Sequence, residues 1–206
     1  SSEGTAPQPQ TIENGKSIAK PAESPTRSGY TFKYWSTEAN GSEYDFSTPV
    51  TSSFTLYAVW EKIKIYTIQG TAHESPFKDQ TVTAVPGIVT AITYSKGAPT
   101  GFYMQDAQGD GNPVTSDGIY VYCGKDNMSA ALKVGDAVTV SGKVVEYIPN
   151  PKTNKQGNPV YDKADRLSTT QLMSDTSKIR IKSHDNPLPE PIALTPGNMV
   201  KPVATN

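Results

Sequence analysis

Several short segments of this sequence set aromatic rings and amide or ammonium groups at strand spacing, the chemistry that stacks a flat ligand and grips an anionic backbone. In Ile119-Tyr120-Val121-Tyr122-Cys123, the two-residue period of a strand puts Ile119, Val121 and Cys123 on one face and Tyr120 and Tyr122 on the other. With the aliphatic face inside, both phenol rings point outward. Tyr103 and Gln105 alternate in the same way with Phe102 and Met104, so they join that outer surface, and Lys143 and Tyr147 on a later strand extend it. Bases stacked on such rings gain ~1–3 kcal/mol each, while nearby lysines track phosphates. Lys152 and Lys155 lie in a stretch from Pro149 to Pro159 that reads as a long loop flanking these strands. The bland alternative is physical too: tyrosine suits any half-exposed strand, and a charge run is usually a solvated face.

Other chemistry is thin. Asp106-x-Gln108-x-Asp110-Gly111 followed by Asp117 resembles a degraded calcium loop, with oxygen ligands and a central glycine near the required spacing. Gln stands at the third position and no flanking helices are indicated, so an Asp/Gly turn, Asp110-Gly111-Asn112-Pro113, is the competing reading. No metal and no cofactor is assigned; Asp106, Asp110 and Asp117 are only weak candidates. His73 stands beside Ser75, but neighbours in sequence are not a triad, and a hydrogen bond closing the loop is the expectation. Two histidines cannot build a three-histidine metal site, and the single Cys123 excludes an internal disulfide and a CxxC pair. Cys123 reads as a small buried hydrophobe. Without a clustered acid/base set, the chain is not expected to be an enzyme by itself.

The elements that must position these residues follow from composition. In 206 residues, 16 Gly and 17 Pro disfavour long helices, and no apolar run approaches the ~18 residues of a bilayer span. Residues 1–10 show neither the basic start nor the apolar stretch of a signal peptide. The net charge of -1 gives no global basic field. Between 143 and 182, however, eight basic residues stand against Glu146, Asp162, Asp165 and Asp175.

Both tryptophans and nine of the eighteen aromatics fall in the first 62 residues, which places a boundary there. Tyr30–Trp35 and Phe54–Trp60 alternate as strands of a small aromatic-cored module. From residue 63 strands follow one another: 63–68, 81–94 with a kink at Pro86-Gly87, 102–105, 119–123, 137–148 interrupted at Gly142, then 165–173 and 178–182. One short helix is expected near 127–133. Strands bent by internal glycine around one short helix suit a small Greek-key barrel or a sandwich.

Two resemblances sharpen this. Gly15, Pro21, Pro25-Thr-Arg-Ser-Gly29-Tyr30-Thr-Phe32 and Trp35, then Tyr44-Asp45-Phe46 and Thr48-Pro49-Val50-Thr51, then Thr55-Leu56-Tyr57-Ala58 and Trp60, resemble the Listeria/Bacteroides-type repeat of internalin-like surface proteins over about 11–61. That resemblance implies a β-grasp module, with a leading strand upstream of residue 1. Gly70 with His73 and Ser75-Pro76, Gly87-Ile88-Val89-Thr90, Gly101-Phe102-Tyr103-Met104-Gln105-Asp106, Ser116-Asp117-Gly118-Ile119-Tyr120-Val121-Tyr122 and Val134-Gly135-Asp136 through Tyr147 resemble the OB-like domain of secreted bacterial nucleases over about 64–173. That family implies a nucleic-acid-binding accessory ahead of an endonuclease/exonuclease/phosphatase domain.

The combined expectation is a mainly β chain: a small β-grasp repeat module at 1–62, an OB-like Greek-key β-barrel at 63–183, and a Pro-rich linker at 184–206. It is a monomeric, non-catalytic segment of a secreted or cell-surface bacterial protein, not inserted in a membrane. Its partners are extracellular DNA or RNA and a downstream catalytic domain. The rival is a structural or adhesive spacer that binds carbohydrate, protein or nothing.

Overall fold

Alternating β-branched and aromatic residues, punctuated by glycine and proline, make the chain mainly β, with eight strands and one short α-helix among the described residues. The structure, a computed structural model, describes residues 7–125, 127–148, 156, 168–191 and 195. It divides after Ile63 into two units, Ser1–Ile63 and Lys64–Asn206.

In the first unit β1 (Tyr30–Ser36) pairs antiparallel with β2 (Tyr57–Lys62). The ladder matches Phe32 with Trp60 and Tyr34 with Val59, so Lys33 is an extra residue and β1 bulges there. The bulge brings two residues of opposite parity to one side. Phe32 packs on Trp35 at 5.3 Å and edge-on to Trp60 at 5.8 Å. On β2 Val59 is buried, while Tyr57 at the start of the strand is exposed. Phe54 and Leu56 precede β2 rather than extending it. Of the β-grasp implied by resemblance, the described residues show this one antiparallel pair.

The second unit opens with α1 (Ile65–Gln69), where alternation predicts a strand. Ile65 and Ile68, three residues apart, are both fully buried, which a helical turn achieves and an alternating strand does not. The strands follow as β3 (Thr81–Ser95), β4 (Ala98–Gln105), β5 (Gly118–Tyr122), β6 (Ala137–Tyr147), β7 (Thr169–Met173) and β8 (Ile179–Ser183). β3 and β4 form a hairpin whose turn residues Lys96 and Gly97 both have positive φ, the two-residue turn that matches strand twist. The helix expected at 127–133 is absent among the described residues. They form turns that bury Met128 and Leu132 and end at Gly135, whose φ is 88°.

Among the described residues, pairing runs β3–β4–β5–β7–β6, and β6 pairs again with β3; of these pairs only β5–β7 is parallel. β3 serves both neighbours by bending. Its register shifts between Val82 and Val85, where Ala84 takes a φ of 53°, so the bulge lies just before the expected Pro86-Gly87 kink. The inward row Phe102, Val121, Leu172 and Val144 crosses β4, β5, β7 and β6, and all four side chains are fully buried. Gly142 is needed at the β6–β7 crossing, because a Cβ there would lie 2.5 Å from the Met173 carbonyl oxygen. Among the described residues no helix is long and apolar enough to cross a membrane.

Candidate functional site

The outward parity of these strands assembles an aromatic face. Tyr103 of β4 and Tyr120 of β5 are directly opposite in the ladder, and their ring centroids are 4.9 Å apart. Tyr120 and Tyr122 follow on one strand at 6.5 Å. Tyr103 and Tyr122 are 48% and 39% exposed, so each offers a ring to a ligand without unfolding. Tyr120 is the fixed member. Its hydroxyl lies 2.9 Å from Thr93 Oγ1, and its ring end covers Gly101, where a Cβ would meet that hydroxyl at 2.4 Å. Glycine at 101 therefore lets the central ring approach β4 closely.

Cross-strand register extends the face. Tyr122 is level with Met173 of β7, and Met173 with Lys143 of β6. Met173 is 45% exposed, an apolar neighbour to the rings that sequence reasoning missed. β7 gives no clean alternation to signal it, because Thr170, Gln171 and Leu172 are all buried and only the strand's two ends are exposed. Thr93, the clamp on Tyr120, was also missed, because its contact depends on a hairpin register that is not written locally. Gln105 ends β4 level with Gly118, half-buried at the rim. Tyr147 ends β6 opposite Thr169 and is exposed, so it belongs to the sheet edge and not to the three-ring cluster.

Among the described residues, the basic side chains near the face already have partners. Lys143 Nζ lies 2.7 Å from Asp79 Oδ1, and that ammonium holds the Asp79 carboxyl below the usual range. The Lys143 charge is thus already partnered. Lys152 and Lys155 lie outside the described residues, as do Lys163 and Arg166 of the local basic surplus. Lys178 is paired with Asp175 at 2.9 Å. Arg180, opposite Thr139 on the outward parity of β6, is held by the Ser177 and Ile179 carbonyls.

The three aspartates of the loop after β4 have separate tasks. Asp106 is buried, and its Oδ2 accepts from the Ile65 amide at 3.0 Å, capping α1, whose own Ncap residue Lys64 supplies no side-chain bond. Asp110 Oδ1 accepts from the Asn112 amide and the Thr115 hydroxyl, which is the Asp/Gly turn. Asp117 Oδ1 accepts from the Asp110 amide at 3.2 Å. No group of three metal-ligating side chains converges among the described residues.

Asp106 carries a pH signature. Burial pushes its pKa up, against the pull of Lys64 and of the Tyr66 and Ile65 amides. A carboxyl with a raised folded pKa binds its proton more tightly when folded. Its contribution is therefore most favourable below the unfolded value of ~3.9 and declines as pH rises through the higher folded value. Asp106→Asn keeps an acceptor oxygen for Ile65 and removes the buried charge. The variant is expected to melt at or above the wild-type temperature at pH 7, with the difference shrinking toward pH 3.5. A neutral-pH melting temperature lower by several degrees would show that the cap needs the charge.

His73 and Ser75 close loops. Ser75 Oγ donates to the Ile68 carbonyl, whereas His73 Nε2 accepts from the Ser168 amide at 3.2 Å. Glu146 joins the same knot, accepting from the Ser75 amide, the Thr170 hydroxyl and the Ser168 hydroxyl. This ties the end of β6 and the start of β7 to the segment before β3. Cys123 is buried, and loss of water raises its thiol pKa to about 11, so it is a core residue and a poor nucleophile.

Residues 1–59 match the family model of the Listeria-Bacteroides repeat domain. That span coincides over 11–59 with the repeat read from the residues themselves, and it ends within β2. No curated protein and no solved structure matches the chain.

Proposed function

We propose that the second unit is an OB-like barrel whose outer tyrosine face binds single-stranded or flexible nucleic acid. The chain is then a non-catalytic segment of a secreted or cell-surface bacterial protein, presenting extracellular DNA or RNA to a nuclease domain elsewhere in that protein. The contact ladder Tyr103–Tyr120–Tyr122 carries this reading, because it holds rings exposed and close together on a curved sheet. The five-strand circuit β3–β4–β5–β7–β6–β3, with its one parallel pair, supports the OB-like assignment. The nuclease association rests on the sequence resemblance over 64–173, and the surface location on the repeat at 1–59.

Salt dependence tests it. With Lys152 and Lys155 each on one phosphate of a labelled twelve-residue oligothymidylate, affinity falls about sevenfold between roughly 50 and 200 mM salt, from ~0.7 per phosphate contact. Absent or salt-independent binding by the full chain overturns the phosphate-tracking reading. A spacer without a nucleic-acid ligand is the second reading, favoured by the Lys143–Asp79 pair, and absence of oligonucleotide binding even at low salt is its signature.

A further inference from the structure

The first unit contains a cavity of about 610 Å³ that the tyrosine face does not involve. It is a half-open cleft between the extended segment beginning at Pro7 and the residues before β2. Gln10 holds that segment by exchanging two hydrogen bonds with the Ala19 backbone, and Gly15 and Lys16 hold it by bonds to Val50. Trp35, Phe46 and Phe54 supply aromatic walls. Phe46 and Phe54 are both braced by Tyr44, at 5.0 and 5.4 Å between centroids, so their rings are set before any ligand arrives.

The polar part of the wall is neutral. Residues 1–62 carry five basic and seven acidic side chains, yet none of the described residues that line the cavity is charged. Lys20 Nζ sits 5.9 Å from the Phe46 centroid, and Lys20 is not one of the lining residues. Amide and hydroxyl groups of Gln8, Asn14, Thr51 and Ser53 stand at the wall instead. Asn14 and Ser53 are exposed, free to turn toward a ligand.

We propose that this cavity is a binding site for a neutral oligosaccharide. A pyranose ring has C–H groups that lie favourably on the negative face of an aromatic ring, and hydroxyls that both donate to and accept from amides and hydroxyls. A phosphate, sulfate or uronate would find no cation among the described lining residues, and a purely apolar ligand would leave the polar groups unused. The volume is within the range of small-ligand sites, ~300–1,000 Å³.

The test titrates the full chain with maltohexaose, cellohexaose and chitohexaose, followed by 1H–15N NMR. At least one sugar shifts the Trp35 indole signal and the amides of residues 52–55. Phe54→Ala, at a position 40% exposed, weakens that binding about tenfold at an unchanged melting temperature. Tyr122→Ala leaves it intact, which separates this site from the tyrosine face. No shift with any of the three sugars at millimolar concentration overturns the site. Equal affinity for acidic hexagalacturonate overturns the selection for a neutral ligand.

Discussion

Phe102→Ala is expected to cost the second unit about 3–5 kcal/mol, the loss typical when a buried aromatic side chain leaves a cavity. Phe102 is fully buried, opposite Ile92 on one side and Val121 on the other. Its row continues through Leu172 and Val144, so no flexible surface group can collapse into the gap. Against a whole-domain stability of ~5–15 kcal/mol, the loss lowers the melting temperature on the order of 10–20 °C. Far-UV circular dichroism measures it, and tryptophan fluorescence gives an internal reference, because Trp35 and Trp60 both lie in the first unit. A shift of only a few degrees would mean that Phe102 is not central to this core.

The second large effect concerns the face and leaves the fold alone. Tyr103→Ala combined with Tyr122→Ala removes the two exposed rings and spares Tyr120, which is committed to Thr93 and covers Gly101. At ~1–3 kcal/mol per stacked base, losing both rings lowers oligonucleotide affinity by roughly 30-fold to 10⁴-fold. Neither ring is in the core, so the melting temperature stays close to wild type. Fluorescence anisotropy with a labelled oligothymidylate measures the affinity, and an unchanged value at an unchanged melting temperature would refute stacking on these rings.

The faces of β5 and of β4 from Phe102 onward are legible in the sequence because these stretches alternate. Phe102, Met104, Ile119 and Val121 are the buried set, while Tyr103 and Tyr122 are exposed. Legibility ends where one residue breaks the period. In β1 the extra Lys33 brings Phe32 and Trp35 to one side, and nothing in Tyr30–Trp35 marks it as a bulge. At Ile65 and Ile68 the two-residue and three-residue periods are both short enough to mislead. The α1 cap comes from Asp106, far along the chain, so no local helix-start signal exists. Distance also hid the electrostatics. Lys143 reads as a phosphate ligand until the fold sets Asp79 at 2.7 Å from it.

Which rings a nucleic acid touches is observed most directly by 13C-resolved NMR of the tyrosine side chains while the full chain is titrated with a twelve-residue oligothymidylate at low salt. The ring signals of Tyr103 and Tyr122 are expected to move together with one affinity, with smaller movement at Tyr120, while those of Tyr30 and Tyr34 in the first unit stay still. Ring signals that all remain fixed at saturating oligonucleotide, or that move only in the first unit, would contradict the tyrosine face as the site of binding.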